Sequence, residues 1–261
     1  MLLAICCPLV ARAQPMQLTY AGYVAGLKVF AFQAAADVTG RDYRVQTSYR
    51  TSGILGAFVA GDLRTRAFGI WRGDSAVPVQ YETWGTWRGT PRRALIDYHG
   101  TQPVVRETIP PVANEREPVP PAAQADTIDT LSGFAFLVRR INATGHCAAK
   151  TKLFDGRRLL EIAVTDGGEE ILAADSASMF AGPALRCDLS GRQTAGFAFD
   201  EGRDPLAIQT TGTLWFARPL PGAPLVPVRM TFLLHLFGHA TMYLSAASLE
   251  PVSAVARPGS H

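Results

Sequence analysis

Apolar and polar positions alternate with a period of two through most of the chain, the pattern of β-strands with one buried and one solvated face. Tyr43, Val45, Thr47 and Tyr49 fall on one face of such a segment, and Arg44, Gln46, Ser48 and Arg50 on the other. The pattern recurs in Leu63–Trp71 and Val79–Trp87, where Gly73-Asp74 and Gly89-Thr90 supply the turns that end each strand. Gln17–Tyr23 and Lys28–Ala36 flank Gly26 as a first hairpin, and the β-branched and aromatic content of Thr211–Ala217 predicts a further strand. Closely spaced strands of this kind predict an antiparallel sandwich or an open barrel.

The longest apolar face lies in Val228–Ser245, where Val228, Met230, Phe232, Leu234, Leu236, Gly238, Ala240, Met242 and Leu244 share one side. That length predicts either one strand bent at Gly238 or two strands broken at Phe237-Gly238. One segment has helical spacing instead. Leu131, Phe134, Leu137, Val138 and Ile141 form an amphipathic stripe, with Asp126 or Asp129 as its N-cap. A single helix on or inside a curved sheet fills a barrel that side chains alone leave open. The six prolines from Pro103 to Pro121 predict a long surface connection, and Arg218–Pro227 predicts another loop.

Composition adds a location. Leu2–Val10 is apolar and Ala11-Arg12-Ala13 has the form of an A-x-A cleavage site, so residues 1–13 are expected to be a secretory signal peptide. Ile5 before Cys6 is a poor fit to a lipidation site. No later segment is long and apolar enough to predict a membrane-spanning helix. Residues 14–252 are then one β-barrel-like domain and 253–261 a disordered tail, in a protein expected in the periplasm. Only Cys147 and Cys187 remain after cleavage, and an even pair in an oxidising compartment predicts one disulfide. The formal charge of +3 carries no nucleic-acid footprint.

Candidate chemistry is sparse, and no cofactor loop is present. A G-x-S-x-G elbow is missing, and Asp129 with Ser132 reads as a helix cap. His235 and His239 lie four residues apart on one strand face, roughly 13 Å between Cα atoms, too far to share a metal ion. Asp166, Glu169 and Glu170 surround Gly167-Gly168 in an apparent turn. Asp155-Gly156-Arg157-Arg158 has the form of a hairpin turn, and its arginine pair offers forks for an anionic head group. Trp71, Tyr81, Trp84, Trp87 and Tyr98 crowd the middle strands. Trp71, Tyr81, Trp84 and Trp87, with Arg157 and Arg158, are therefore the candidate ligand-binding residues, whose alternative is ordinary core packing.

Several separated pieces resemble the exported domain-of-unknown-function family 3108 of Gram-negative bacteria. They are Tyr20-Ala21-Gly22-Tyr23-Val24-Ala25-Gly26-Leu27, Asp129-Thr130-Leu131-Ser132, Phe154-Asp155-Gly156-Arg157-Arg158 and Pro227-Val228-Arg229. The chain is also similar to the envelope-integrity β-spiral proteins, and that likeness implies an open, twisted barrel with a disulfide and a periplasmic role in envelope maintenance. Neither resemblance implies a catalytic residue. The expected protein is thus a non-enzymatic one with no cofactor, binding a lipid, another apolar ligand or an envelope protein and supporting the cell envelope. An envelope hydrolase and a structural scaffold docking through a sheet edge are the alternatives.

Overall fold

The alternating segments pair as successive hairpins. In the computed structural model, which describes residues 15–53, 60–200, 209–234 and 238–249, thirteen strands form one sheet. They are β1 (Met16–Val24), β2 (Leu27–Asp37), β3 (Asp42–Thr51), β4 (Gly61–Arg72), β5 (Ser75–Trp87), β6 (Thr90–His99) and β7 (Gln102–Ile109) in the first half. The second half contributes β8 (Ala149–Phe154), β9 (Leu159–Leu172), β10 (Gly182–Ala195), β11 (Gln209–Ala217), β12 (Val226–Leu234) and β13 (Gly238–Ser248). All neighbours are antiparallel, in the order β7-β6-β5-β4-β3-β2-β1-β13-β12-β11-β10-β9-β8. The two-residue turn between β5 and β6 shows why: Arg88 and Gly89 both have positive φ (50° and 75°), the geometry that suits strand twist.

Residues 1–13, expected to be a signal peptide, and the tail expected from 253 lie outside the described residues, as does His235. Two sequence expectations need correction. The proline-rich stretch is not a loop throughout, because Gln102–Ile109 is β7, with Pro103 opposite Tyr98. As an edge strand, β7 tolerates a residue without an N–H. Gly167-Gly168 is not a turn either. β9 runs through it to Leu172, and Gly167 is the extra residue of a bulge between the Cys187↔Asp166 and Arg186↔Gly168 pairs. The final apolar run takes the second of its two expected forms, two strands, β12 and β13, with Leu234 opposite Gly238.

One long helix, Thr130–Thr144, lies against the inner face. Asp129 caps it by accepting from Ser132 N (2.8 Å), and Gly145 ends it at φ 72° with its N–H on Ile141 O. Leu137, Val138 and Ile141 pack with Leu18, Tyr20 and Val45 on one side and Leu214, Val228 and Met230 on the other, in one apolar core. The helix therefore bridges both halves of the sheet.

The sheet edges meet without forming a ladder. Ile128 covers part of β8, donating to Lys152 O (3.1 Å) and accepting from Phe154 N (2.9 Å). Residues 115–117, beyond β7, pair with 197–199 beyond β10. Gly156, in the β8–β9 turn, lies against Ala94 on β6, where a Cβ would come within 3.3 Å of Ala94 Cβ. The result is a barrel closed by overlap rather than by hydrogen-bonded strands, with the exposed ends blunted in the way edge strands require.

Candidate functional site

An apolar cavity of about 160 Å³ lies between the long helix and the inner face of β8–β12. Phe134, Phe136 and Leu137 supply its helical wall, and Leu153, Ile162, Leu189, Leu214, Met230 and Phe232 its sheet wall. Strand register explains the space. Ile162 pairs with Gly191, and Phe232 with Gly212, so two inward positions have no side chain and their neighbours lean across the gap. A Cβ on Gly212 would stand 2.7 Å from Phe232 Cδ1. Gly133 acts similarly on the helix, where a Cβ would meet Leu153 Cδ2 at 2.7 Å. Thr130 and Thr151 are the polar residues of the lining, and no charged side chain contributes to it. A surface of this composition accepts hydrocarbon and rejects an ionised group.

A buried polar chain fixes the helix beside the cavity. Tyr43 Oη donates to Ser132 Oγ (2.6 Å), which donates in turn to Asp129. Asp129 and Ser132 are fully buried. Burial pushes the Asp129 carboxyl up to about 6, against the opposing hydrogen bonds from Ser132. Ser132 is thus a capping and packing residue with no exposed hydroxyl.

The candidate residues from the sequence lie elsewhere. Trp71 stands between Tyr43, 4.7 Å between ring centroids, and the Arg139 guanidinium of the helix at 4.5 Å. Tyr81 is buried in a smaller cluster with Ile96, Tyr98 and Phe154. Trp87 packs near Tyr49, while Trp84 lies on the opposite face under Arg66. The aromatic set is divided among these contacts, and none of its members lines the cavity. Arg157 and Arg158 also have structural work. Arg157 donates to Glu115 (3.1 Å) and to the carbonyls of Ile109 (2.7 Å) and Pro110 (2.8 Å), while Arg158 pairs with Asp155 (2.9 Å). Arg157 thereby clasps the β8–β9 turn to the end of β7, while Arg158 braces the turn itself.

Cys147 and Cys187 form a buried disulfide, Cα–Cα 5.8 Å, tying the connection after the helix to β10. Asp166 accepts from Cys147 N (2.5 Å) and contacts His146 Nδ1 (3.3 Å). Glu170 accepts from Trp215 Nε1 (2.8 Å), so these carboxylates serve structure rather than each other. His239 is exposed on β13. A larger open trough along β8–β11, about 640 Å³, is lined by Lys150, Lys152, Glu161 and Arg192 and shares Thr151 and Ile162 with the interior cavity. No helix among the described residues is long and apolar enough to cross a membrane.

A helix enclosed by a single overlapping antiparallel sheet defines a barrel-like β protein with an interior apolar site. The chain belongs to the family described as "Protein of unknown function (DUF3108)", whose model matches residues 16–245. No curated protein matches it. Among solved structures, it is similar to a β-barrel-like protein of domain of unknown function DUF1849 from Brucella abortus, with 12% identity and a TM-score of 0.52. That match covers 91% of this chain and 98% of the other. A crystal structure described as "a putative lipoprotein" from Parabacteroides distasonis matches with 10% identity and a TM-score of 0.35, over 90% of this chain and 95% of the other. The DUF1849 likeness agrees with the barrel-like fold expected from the sequence.

Proposed function

We propose that this is a non-enzymatic periplasmic protein that holds an apolar ligand between its long helix and the inner face of β8–β12, in support of the cell envelope. The cavity is the observation that carries the reading. Its volume of about 160 Å³ and its lining without charge suit one end of a hydrocarbon chain or a small ring, rather than a whole lipid. The head group and the remaining chain stay outside. A buried disulfide supports an oxidising compartment, where such bonds persist. The site needs no chemistry from its lining, which holds only two threonine hydroxyls among apolar groups.

The test is native mass spectrometry, with organic extraction, of the protein purified from its own cells. An apolar molecule in stoichiometric amount is expected, and it should disappear in Ala149→Phe, which places a ring at the lining of the cavity. A clean apo mass, together with no uptake of a fluorescent fatty-acid probe, would refute the carrier reading and favour a scaffold acting through protein partners.

A further inference from the structure

On the other side of the same strands lies a second site. β11, β12 and β13 place Trp215, Arg229 and Tyr243 in one cross-strand row on the outer face. The Arg229 guanidinium carbon sits 4.9 Å from the Trp215 ring centroid and 5.5 Å from that of Tyr243, so it is held between two aromatic faces. Its Nε is buried without a hydrogen-bond partner, and it forms no ion pair among the described residues. Two nearby carboxylates have other partners. Glu170 accepts from Trp215 Nε1 (2.8 Å), and Asp175 Oδ1 accepts from Ala177 N (2.8 Å).

Above the row passes the β9–β10 connection, anchored by Met179 N on Leu244 O (2.8 Å). Between connection and sheet is a pocket of about 100 Å³, to which Arg229 and Tyr243 contribute with Leu172, Asp175, Ser178 and Phe180. Arg229 is half-buried with an unpartnered Nε, and its guanidinium fork has the geometry that matches a carboxylate. The two aromatic neighbours hold the cation in place but offer its Nε no acceptor.

We infer that this pocket is a binding site for a small carboxylate, received by the Arg229 fork. The volume corresponds to about three water molecules, enough for a carboxylate with one or two carbons and too little for a larger acid to enter whole. Asp175 lines the same pocket and opposes the incoming charge, which makes the site a weak one. The inference is independent of the interior cavity.

Trp215 reports directly on its neighbour, so the assay is tryptophan fluorescence of the full protein titrated with sodium acetate, against sodium chloride at equal ionic strength. A saturable change with acetate alone is expected. Arg229→Lys should weaken binding by about tenfold, since a point charge replaces the fork. Asp175→Asn should tighten it, and this variant leaves the aromatic row intact if changes at Arg229 impair folding. The dipeptide Ala-Ala and its C-terminal amide locate the source: tighter binding of the acid than of acetate indicates a chain terminus, and acetate-like binding a free small acid. No saturable change in the unaltered protein, an equal response to chloride, or unaltered affinity in Arg229→Lys would each overturn the assignment.

Discussion

Asp129 gives the protein a pH dependence whose direction runs against the usual acid lability of carboxylates. Its side chain is fully buried at the start of the long helix, among the hydroxyls of Ser132 and Tyr43. Burial raises its carboxyl from 3.8 to about 6, so the folded chain holds this proton more tightly than the unfolded chain. The stability contributed is therefore full below the unfolded value and is lost as pH rises through about 6. A shift of this size corresponds to ~3 kcal/mol across that window. Asp129→Asn keeps an acceptor for Ser132 N but cannot ionise. Urea unfolding followed by circular dichroism, on both proteins from about pH 4 to pH 7.5, measures the difference directly. Relative to the unaltered protein, the variant should gain ~2.5 kcal/mol on going from the acid to the neutral end of this range. Asp97 has its carboxyl lowered by hydrogen bonds from Gln80 and Arg106, and it acts in the opposite sense in both proteins. Asp155 is lowered too, against its burial, by Arg158 and by turn amides, and cancels likewise. A gap between the two proteins that stays flat with pH would refute the reasoning.

Two further outcomes test the contacts that hold the barrel together. Arg157 has a side chain only 14% exposed and joins the β8–β9 turn to Glu115 and to the Ile109 and Pro110 carbonyls, so Arg157→Ala should cost ~2–3 kcal/mol in urea unfolding, with Arg157→Lys recovering only part. A loss within ~0.5 kcal/mol would show that the overlap holds without this clasp. The disulfide joins residues 40 apart, and replacing both cysteines by serine should cost ~4 kcal/mol in the chain-entropy model. Dithiothreitol should lower the melting temperature of the unaltered protein and leave that of the double variant unchanged.

Much of the fold is legible in the alternation itself. Tyr43–Tyr49 and Thr211–Ala217 lie within strands, and the stripe from Leu131 to Ile141 lies within a helix, because burial on one face leaves a period that needs no neighbour to interpret. β7 escapes this reading because prolines signal a loop, and only its place at the sheet edge makes Pro103 harmless. Gly167-Gly168 likewise has the composition of a turn, whereas pairing with β10 makes it a bulge. The cavity is harder still. Its walls come from residues 130 to 232, and its space depends on Gly191 and Gly212 lying beside Ile162 and Phe232, a matter of register between strands. The aromatic cluster of Trp71, Tyr81, Trp84 and Trp87 attracts attention by composition, yet alternation does not reveal which neighbour satisfies each ring. Inward glycines facing large apolar partners are the subtler signal.

The pairing of β1 with β13 has a consequence for assembly. Gln17 lies opposite Ser248, so the strand made first finds one of its two partners only after the last strand has emerged. Each half can zip locally, hairpin by hairpin, whereas the seam between them is among the most distant contacts in the chain and bears the largest loop-closure entropy. Until it forms, β1 and β13 each present an unpaired edge, and the helix has only part of the surface it spans in the finished fold. A chain threaded through a membrane from its N-terminal end would therefore be most vulnerable to wrong pairing late in its passage, when one open seam separates two nearly complete halves.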